Sequence, residues 1–274
     1  MAESKIDHPS PVIAYSCYFS RNREGEQFAS EHVFSYQIEG TLTINTGDRE
    51  CVFKEGDFRL IKRNQLIKFN KEPAPGGSFK AISIYLDQAA LRSFAIEYGY
   101  QADHINGFGS DAVMPLAPNP LFTGFMDSLW PYIQGNQAIN EPLQNLKQRE
   151  AIMLLLRLKP ELKNVLFDFS EPGKIDLEAF MNKNFHFNVQ LKRFAYLTGR
   201  SLATFKRDFD HVFHTSPSKW LQQRRLQEAH YLIKEKGRTA SDIYLELGFE
   251  DLSHFSFVFK KQYGMPPSKL LSFT

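Results

Sequence analysis

The chain has 274 residues, which at roughly 150 per domain predicts two domains. Its 42% apolar and 23% charged residues exclude wholesale disorder, a collagen-like repeat and a simple coiled coil. The longest aliphatic run, Ala151 to Leu156, is far short of the ~20 residues that cross a bilayer. The polar start MAESKIDHPSP lacks the apolar core of a secretory signal, so a cytoplasmic protein with no membrane partner is expected. Cys17 and Cys51 are too few for a disulfide framework and are expected to be ordinary core or surface thiols.

Charge is nearly balanced overall, with 33 Lys and Arg against 31 Asp and Glu. It is unevenly placed. From Lys174 onward 16 basic residues face 10 acidic ones, whereas residues 1–173 hold 17 and 21. A polyanion is therefore expected at the C-terminal end; a chance local excess is the other reading.

Residues 12 to 86 have the pattern of β structure. His32–Ile38, Thr41–Asn45, Glu50–Phe53, Phe58–Ile61 and Phe79–Leu86 are rich in β-branched and aromatic residues, and Gly40, Gly47-Asp48, Gly56-Asp57 and Pro75-Gly76-Gly77 separate them. Such regular turn signals predict a sandwich or small barrel. From Asp87 the pattern turns helical, over Asp87–Tyr98, Asn119–Tyr132 and Glu141–Leu158. The last helix holds the apolar stretch Ala151–Leu156 and cannot be solvated all round. It packs either on the barrel or, as a dimer contact, on a second copy. Ser170-Glu171-Pro172-Gly173 is the expected linker, dividing residues 1–170 from 174–274.

Beyond Lys174 the chain is expected to be all helix, and it repeats. At an offset of 50, FKRDFDHVFHTSPSKWL (Phe205–Leu221) falls on FSFVFKKQYGMPPSKLL (Phe255–Leu271). Phe205 meets Phe255, Phe209 meets Phe259, Phe213 meets Tyr263, and Pro217-Ser218-Lys219 meets Pro267-Ser268-Lys269. Ser201 and Asp251 both sit where a helix N-cap is wanted. Each copy reads as helix, glycine-bearing turn, second helix: Asn188 is expected to cap Val189–Leu197, with Thr198-Gly199-Arg200 as the turn. In the second copy Thr239 and Asp242 form a capping box before Asp242–Leu247, with Gly248 near the turn. This is the pattern of a helix-turn-helix, whose second helix enters the DNA major groove. Phe205, Phe209 and Phe213 must be its buried stripe, which leaves Ala203, Lys206, Arg207 and Asp210 outside. In the second copy Phe255, Phe259 and Tyr263 are inside, and Ser253, Ser256, Phe257 and Lys260 outside.

Between the units, Pro217 opens a helix expected to run to about Lys236, with Leu226, Ala229 and Ile233 on one stripe. Roughly 20 residues make a rod of about 30 Å, close to the ~34 Å between successive major grooves on one face of DNA. One chain with such a spacer can read two adjacent major-groove segments of double-stranded DNA.

Ser201–Leu221, RRLQEAHYLI and above all LGFEDLSHFSFVFKKQYGMPPSKLL resemble the DNA-binding domain of AraC/XylS-family transcriptional regulators, over about 100 residues, Lys174–Thr274. The resemblance implies two helix-turn-helix units joined by a long helix, with base-reading positions at Ala203, Lys206 and Arg207, then Leu252, Ser253, Ser256 and Phe257. Ser201, Thr204 and Lys260 complete the expected DNA-binding set. Many family members carry Arg or Lys where this chain has Phe257. Arginine grips guanine, whereas a phenyl ring offers only apolar contact to a thymine methyl. HVFSYQIEGTLTINTG and KEGDFRLIKRN resemble the family's cupin-like regulatory domain. A metal-binding cupin needs a His-x-His pair and a Glu; His32 is followed by Val33-Phe34, so no metal is expected and His32 is taken as structural or surface.

The fold expected is α+β in two domains, a cupin-like barrel with following helices and an all-α DNA-binding domain. The function expected is sequence-specific transcription regulation, not catalysis, with no cofactor and no catalytic or metal residues. The resemblance favours activation, while nothing in the residues separates activator from repressor. RNA polymerase as partner, a homodimer through the helices after the barrel, and control by a small-molecule effector or regulatory protein are also expected, with ligand residues the sequence does not identify. Two rivals stand beside it: a cupin-type metal enzyme fused to a DNA-binding domain, and a non-specific architectural DNA binder. Lys206, Lys260 and Lys261 suit phosphate contact as well as solubility, and Arg224–Arg225 suit an internal salt bridge as well as DNA. His211, His214 and His254 show no metal-ligand spacing.

Overall fold

A computed structural model describes residues 12–22, 28–47, 49–103, 111–134 and 140–271. The N-terminal segment, the turn residue Asp48 and the side chain of Leu271 lie outside the described residues. Ten strands are found among these: β1 (Ile13–Tyr18), β2 (Phe28–Ala29), β3 (His32–Glu39), β4 (Thr41–Asn45), β5 (Glu50–Phe53), β6 (Phe58–Ile61), β7 (Gln65–Leu66), β8 (Lys68–Glu72), β9 (Phe79–Leu86) and β10 (Val113–Leu116). All pairings are antiparallel, in a five-stranded sheet of order β1-β9-β3-β6-β10, a three-stranded sheet β5-β4-β8 and the short pair β2-β7.

Side chains alternate across a strand, and here both faces of the larger sheet are covered. Val33, Phe79 and Ala81 enter a core shared with Leu42, Ile44 and Phe53 of the smaller sheet. Phe34, Ile82, Ile84 and Leu86 enter a second core with the helices that follow. This is why β6 shows no hydrophobic alternation: all four of its residues are buried. Arg59 is one of them, and its guanidinium lies 5.2 Å from the Phe53 ring centre and donates to Gln37 Oε1 at 3.3 Å.

The second core is closed by α1 (Gln88–Tyr98), α2 (Pro120–Asp127), α3 (Trp130–Gln134), α4 (Glu141–Leu158), a 3-10 turn at Pro160–Leu162 and α5 (Lys163–Leu166). Asp87, Asn119 and Asn140 cap α1, α2 and α4 through side-chain oxygens, as short polar N-caps do. The single helix expected over Asn119–Tyr132 is two. Ser128 Oγ donates to the Phe125 carbonyl at 2.6 Å, and Pro131 has no N–H to continue the ladder. In α4 the stretch Ala151–Leu156 faces inward: Ala151, Ile152, Leu155 and Leu156 are buried against the sheet, and Met153 alone of the six is exposed. Of the two readings the sequence leaves open for this stretch, packing on the chain's own barrel holds for these four residues, and Leu155 in particular is not available as a dimer contact.

The remaining helices are α6 (Leu177–Asn184), α7 (Leu191–Leu197), α8 (Leu202–Phe213), α9 (Pro217–Lys236), α10 (Ala240–Ile243), α11 (Leu252–Tyr263) and α12 (Pro267–Leu271). Their shared core centres on Phe187, Phe194, Phe205, Phe209, Phe255 and Phe259, and it also takes in Phe28 and Leu66 from the sheet-rich part. The stretch expected as a linker is tied on both sides. The Ser170 carbonyl accepts from Arg63, and Glu171 accepts from Tyr196 Oη, which accepts in turn from Asn64. Beside these contacts Lys68 of β8 inserts its ammonium into the helical part, donating to the carbonyls of His186 (2.7 Å), Leu245 (3.3 Å) and Glu246 (2.6 Å).

Two predictions come from this packing. Leu155→Ala should destabilise the chain by about 2–5 kcal/mol, and exposed Leu146→Ala by less than about 0.5 kcal/mol, in denaturant unfolding. Burial, aided by Arg225, pushes the Lys68 pKa down to about 7, against about 10.4 in the free chain. The docked state thus binds fewer protons than the undocked one, so docking strengthens as pH rises from about 7 to 10. In wild type, hydrogen exchange at 245–246 should slow with pH, after correction for intrinsic rates; Lys68→Met should remove that slowing.

Candidate nucleic-acid interface

The first unit consists of α7, a turn through Thr198-Gly199-Arg200, and α8. At Gly199 the backbone has φ +65°, and a Cβ would lie 2.4 Å from the Gly173 carbonyl carbon, so only glycine suits the turn. Thr198 and Arg200 pin it further. Thr198 Oγ1 donates to the Phe194 carbonyl at 2.9 Å, and Arg200 donates to the Thr198 and Ile175 carbonyls and to Asp208. Hydrogen bonding from Arg200 holds the Asp208 carboxyl below its usual pKa. Ser201 caps α8, its Oγ accepting from the Thr204 N–H at 3.2 Å. Asn188 does not cap α7 as expected: Gln190 takes the cap position, and the Asn188 amide donates to Glu250 of the second unit at 2.9 Å.

Along α8 Phe205 and Phe209 are fully buried, and Phe213 is half-buried with its ring 4.7 Å from that of Trp220. The opposite face exposes Ser201, Ala203, Lys206, Arg207 and Asp210, with Thr204 half-buried at its edge. The Arg207 side chain is 76% exposed and pairs with the neighbouring carboxylate of Asp208, at 3.3 Å.

The second unit repeats this plan. Thr239 caps α10, its Oγ1 accepting from the Asp242 N–H and meeting the Asp242 carboxylate at 2.6 Å. The expected helix from Asp242 to Leu247 starts earlier and lasts one turn. At Gly248, φ +87°, a Cβ would lie 2.6 Å from the His186 carbonyl. Asp251 caps α11 through the His254 N–H at 2.6 Å. Phe255 and Phe259 are buried, and Tyr263 is half-buried against His230 at 4.7 Å. Leu252, Ser253, Phe257 and Lys260 are exposed, whereas Ser256, expected fully outside, is half-buried. Both recognition helices end in a left-handed residue, His214 (φ +52°) in the first unit and Gly264 (φ +75°) in the second.

Between the units α9 runs Pro217–Lys236, 20 residues and so about 30 Å, and it stops at left-handed Gly237. Leu226, Ala229 and Ile233 face the core. Arg225, open in the sequence between ion pair and DNA contact, is neither. Its Nε donates to the Phe185 carbonyl (2.8 Å), one terminal nitrogen to Gly248 (2.9 Å) and the other to Phe187 (2.9 Å). Burial lowers its pKa to about 10, which leaves it cationic at neutral pH. Arg224 pairs with Glu228 one turn on at 3.0 Å and lies over the Phe185 ring. No local signal marks Arg225, because its acceptors are backbone groups far along the chain. His211 and His254 are exposed. His32 is fully buried, its Nδ1 accepting from the Arg63 N–H, and burial lowers its pKa to about 3. Among the described residues no group of His, Cys, Asp or Glu is placed to hold a metal ion. Cys17 is exposed and Cys51 half-buried.

Two helix-turn-helix units on one rigid spacer, with cations on the outer face of each second helix, define a DNA-binding protein. Residues 194–272 match the model of a helix-turn-helix domain, and residues 32–165 match that of the ExsA N-terminal regulatory domain. The chain is 24% identical over 237 residues to the HTH-type transcriptional regulator ExsA of Pseudomonas aeruginosa, covering 85% of this chain and 83% of that one. It is 29% identical over 248 residues to the thermoregulatory protein LcrF of Yersinia pestis, covering 85% and 86%. Among solved structures, ToxT from Vibrio cholerae aligns over 95% of this chain and 97% of that one, with a TM-score of 0.41 and 12% identity. The chain belongs to the AraC family of transcriptional regulators and carries an N-terminal regulatory domain.

Two variants probe the local chemistry. His214→Gly should stabilise the chain by up to about 1 kcal/mol in thermal or denaturant unfolding, since it removes a side chain from the left-handed region. Arg225→Met should destabilise it by about 2–4 kcal/mol, since three buried carbonyls lose a charged donor.

Proposed function

We propose that this regulator binds one stretch of double-stranded DNA with both units, α8 in one major groove and α11 in the next on the same face. The observation that carries this is the pair of outward faces on α8 and α11 joined by a 20-residue helix. Ser201, Ala203, Thr204, Lys206 and Arg207 form the first contact set, and Leu252, Ser253, Ser256, Phe257 and Lys260 the second. Arg207 reads a base, and Lys206 and Lys260 meet phosphates, so affinity falls steeply with salt.

The regulatory part comprises residues 1–170 and the DNA-binding part residues 174–274. The first controls the second through the contacts of Lys68, Arg63, Phe28 and Leu66, in response to a small molecule or a protein partner. Activation through RNA polymerase is the favoured outcome, in line with relatives named as activators. The protein acts in the cytoplasm, has no enzymatic role, and uses no metal or other cofactor. A homodimer, if formed, uses a surface other than the buried face of α4.

Arg207→Ala should weaken binding to the selected site by about 1–3 kcal/mol and relax preference at one base pair. Competition binding against random DNA measures both effects. Equal losses on specific and random DNA would make Arg207 a phosphate contact.

A further inference from the structure

We propose that the two units read different base chemistry from the same helical position, with Arg207 of α8 taking a guanine and Phe257 of α11 the C5 methyl of a thymine. The proposal rests on the DNA-binding reading above and adds the base class selected by the second unit. It starts from the repeat. At an offset of 50 the N-caps Ser201 and Asp251, the buried pairs Phe205/Phe255 and Phe209/Phe259, and the left-handed C-caps His214 and Gly264 coincide. Residues 207 and 257 therefore stand at the same height and angle on their helices, one a guanidinium and the other a phenyl ring.

Isolated exposed apolar side chains are ordinary on protein surfaces. Phe257 is distinguished by its setting. It is 68% exposed, where its counterpart Arg207 has a side chain 76% exposed. At helical spacing it shares a stripe with Ser253 and Lys261, both exposed, and exposed Lys260 lies beside it. The two lysines at the C-terminal turn suit the phosphates that border a groove, which leaves the ring over the base edges. A phenyl ring has neither donor nor acceptor. Thymine alone presents an apolar group in the major groove, whereas a ring pressed against guanine or cytosine strips water from polar edges without replacing its hydrogen bonds.

The test uses the full-length protein. Sites are selected from a random duplex library, and each thymine of the selected site is replaced in turn by deoxyuridine, which keeps O4 and the pairing edge and lacks only the methyl. At one or more thymines in the half covered by the second unit, affinity should fall about fourfold, the worth of burying one such group. In Phe257→Ala the same replacement should have no further effect, and Phe257→Arg should move the preference at that pair to guanine. Deoxyuridine without effect at every thymine, or with equal effect in wild type and Phe257→Ala, would overturn the proposal and leave the DNA-binding reading standing. Failure to enrich any sequence would overturn the sequence-specific reading on which the proposal rests.

Discussion

The DNA-binding part depends on one half-buried cation. Arg225 projects from the spacer helix α9 and donates to the carbonyls of Phe185 and Phe187, which lead into the first unit, and of Gly248, in the turn of the second. A guanidinium taken out of water must have its hydrogen bonds satisfied, and here that demand fixes both units to one rod. Gly248 completes the constraint: the Arg225 guanidinium carbon would lie 3.0 Å from a Cβ at that position, so a side chain there would press on the tie itself.

A second basic side chain uses the same two strips of backbone. Lys68, on the edge strand β8, takes the His186, Leu245 and Glu246 carbonyls; His186 lies between the Phe185 and Phe187 that Arg225 holds, and Leu245 and Glu246 lie just before Gly248. The regulatory part thus touches the second unit at its turn, not at its reading face, and the outer faces of α8 and α11 stay open to solvent while the two parts are packed together. Lys68 joins β8 to the backbone just ahead of the turn before α11, and this contact is the physical route for the control we propose.

Much of the helical part was legible because its signals are local. A phenylalanine at every fourth position defines the buried stripe of α8 and α11, and the caps Ser201, Thr239 and Asp251 stand one residue outside the helices they open. Strands whose neighbours are turns, such as Thr41–Asn45 and Glu50–Phe53, were equally plain. What stayed hidden is non-local. In β8 all five residues are half-buried, so no alternation distinguishes one face, and β10 contains Pro115, tolerated there because among the described residues β10 is an edge strand, next to β6. Asn188 looks like a cap until Glu250, 62 residues on, supplies its partner. The stretch Ala151–Leu156 announces burial but not what buries it. For the reading faces the pattern identifies which residues point outward, while the DNA each would meet lies beyond the chain.

The account stands on α9 as a rigid spacer, and the most direct measurement changes the spacing of the DNA. With a mapped site, five base pairs inserted between the two contacted groove segments turn one away by half a helical turn. A rigid rod of about 30 Å cannot follow, so footprinting should show protection of one segment only and affinity close to that of a half-site. Unchanged protection of both segments at unchanged affinity would show that the two units are not held together by α9, and would contradict the account.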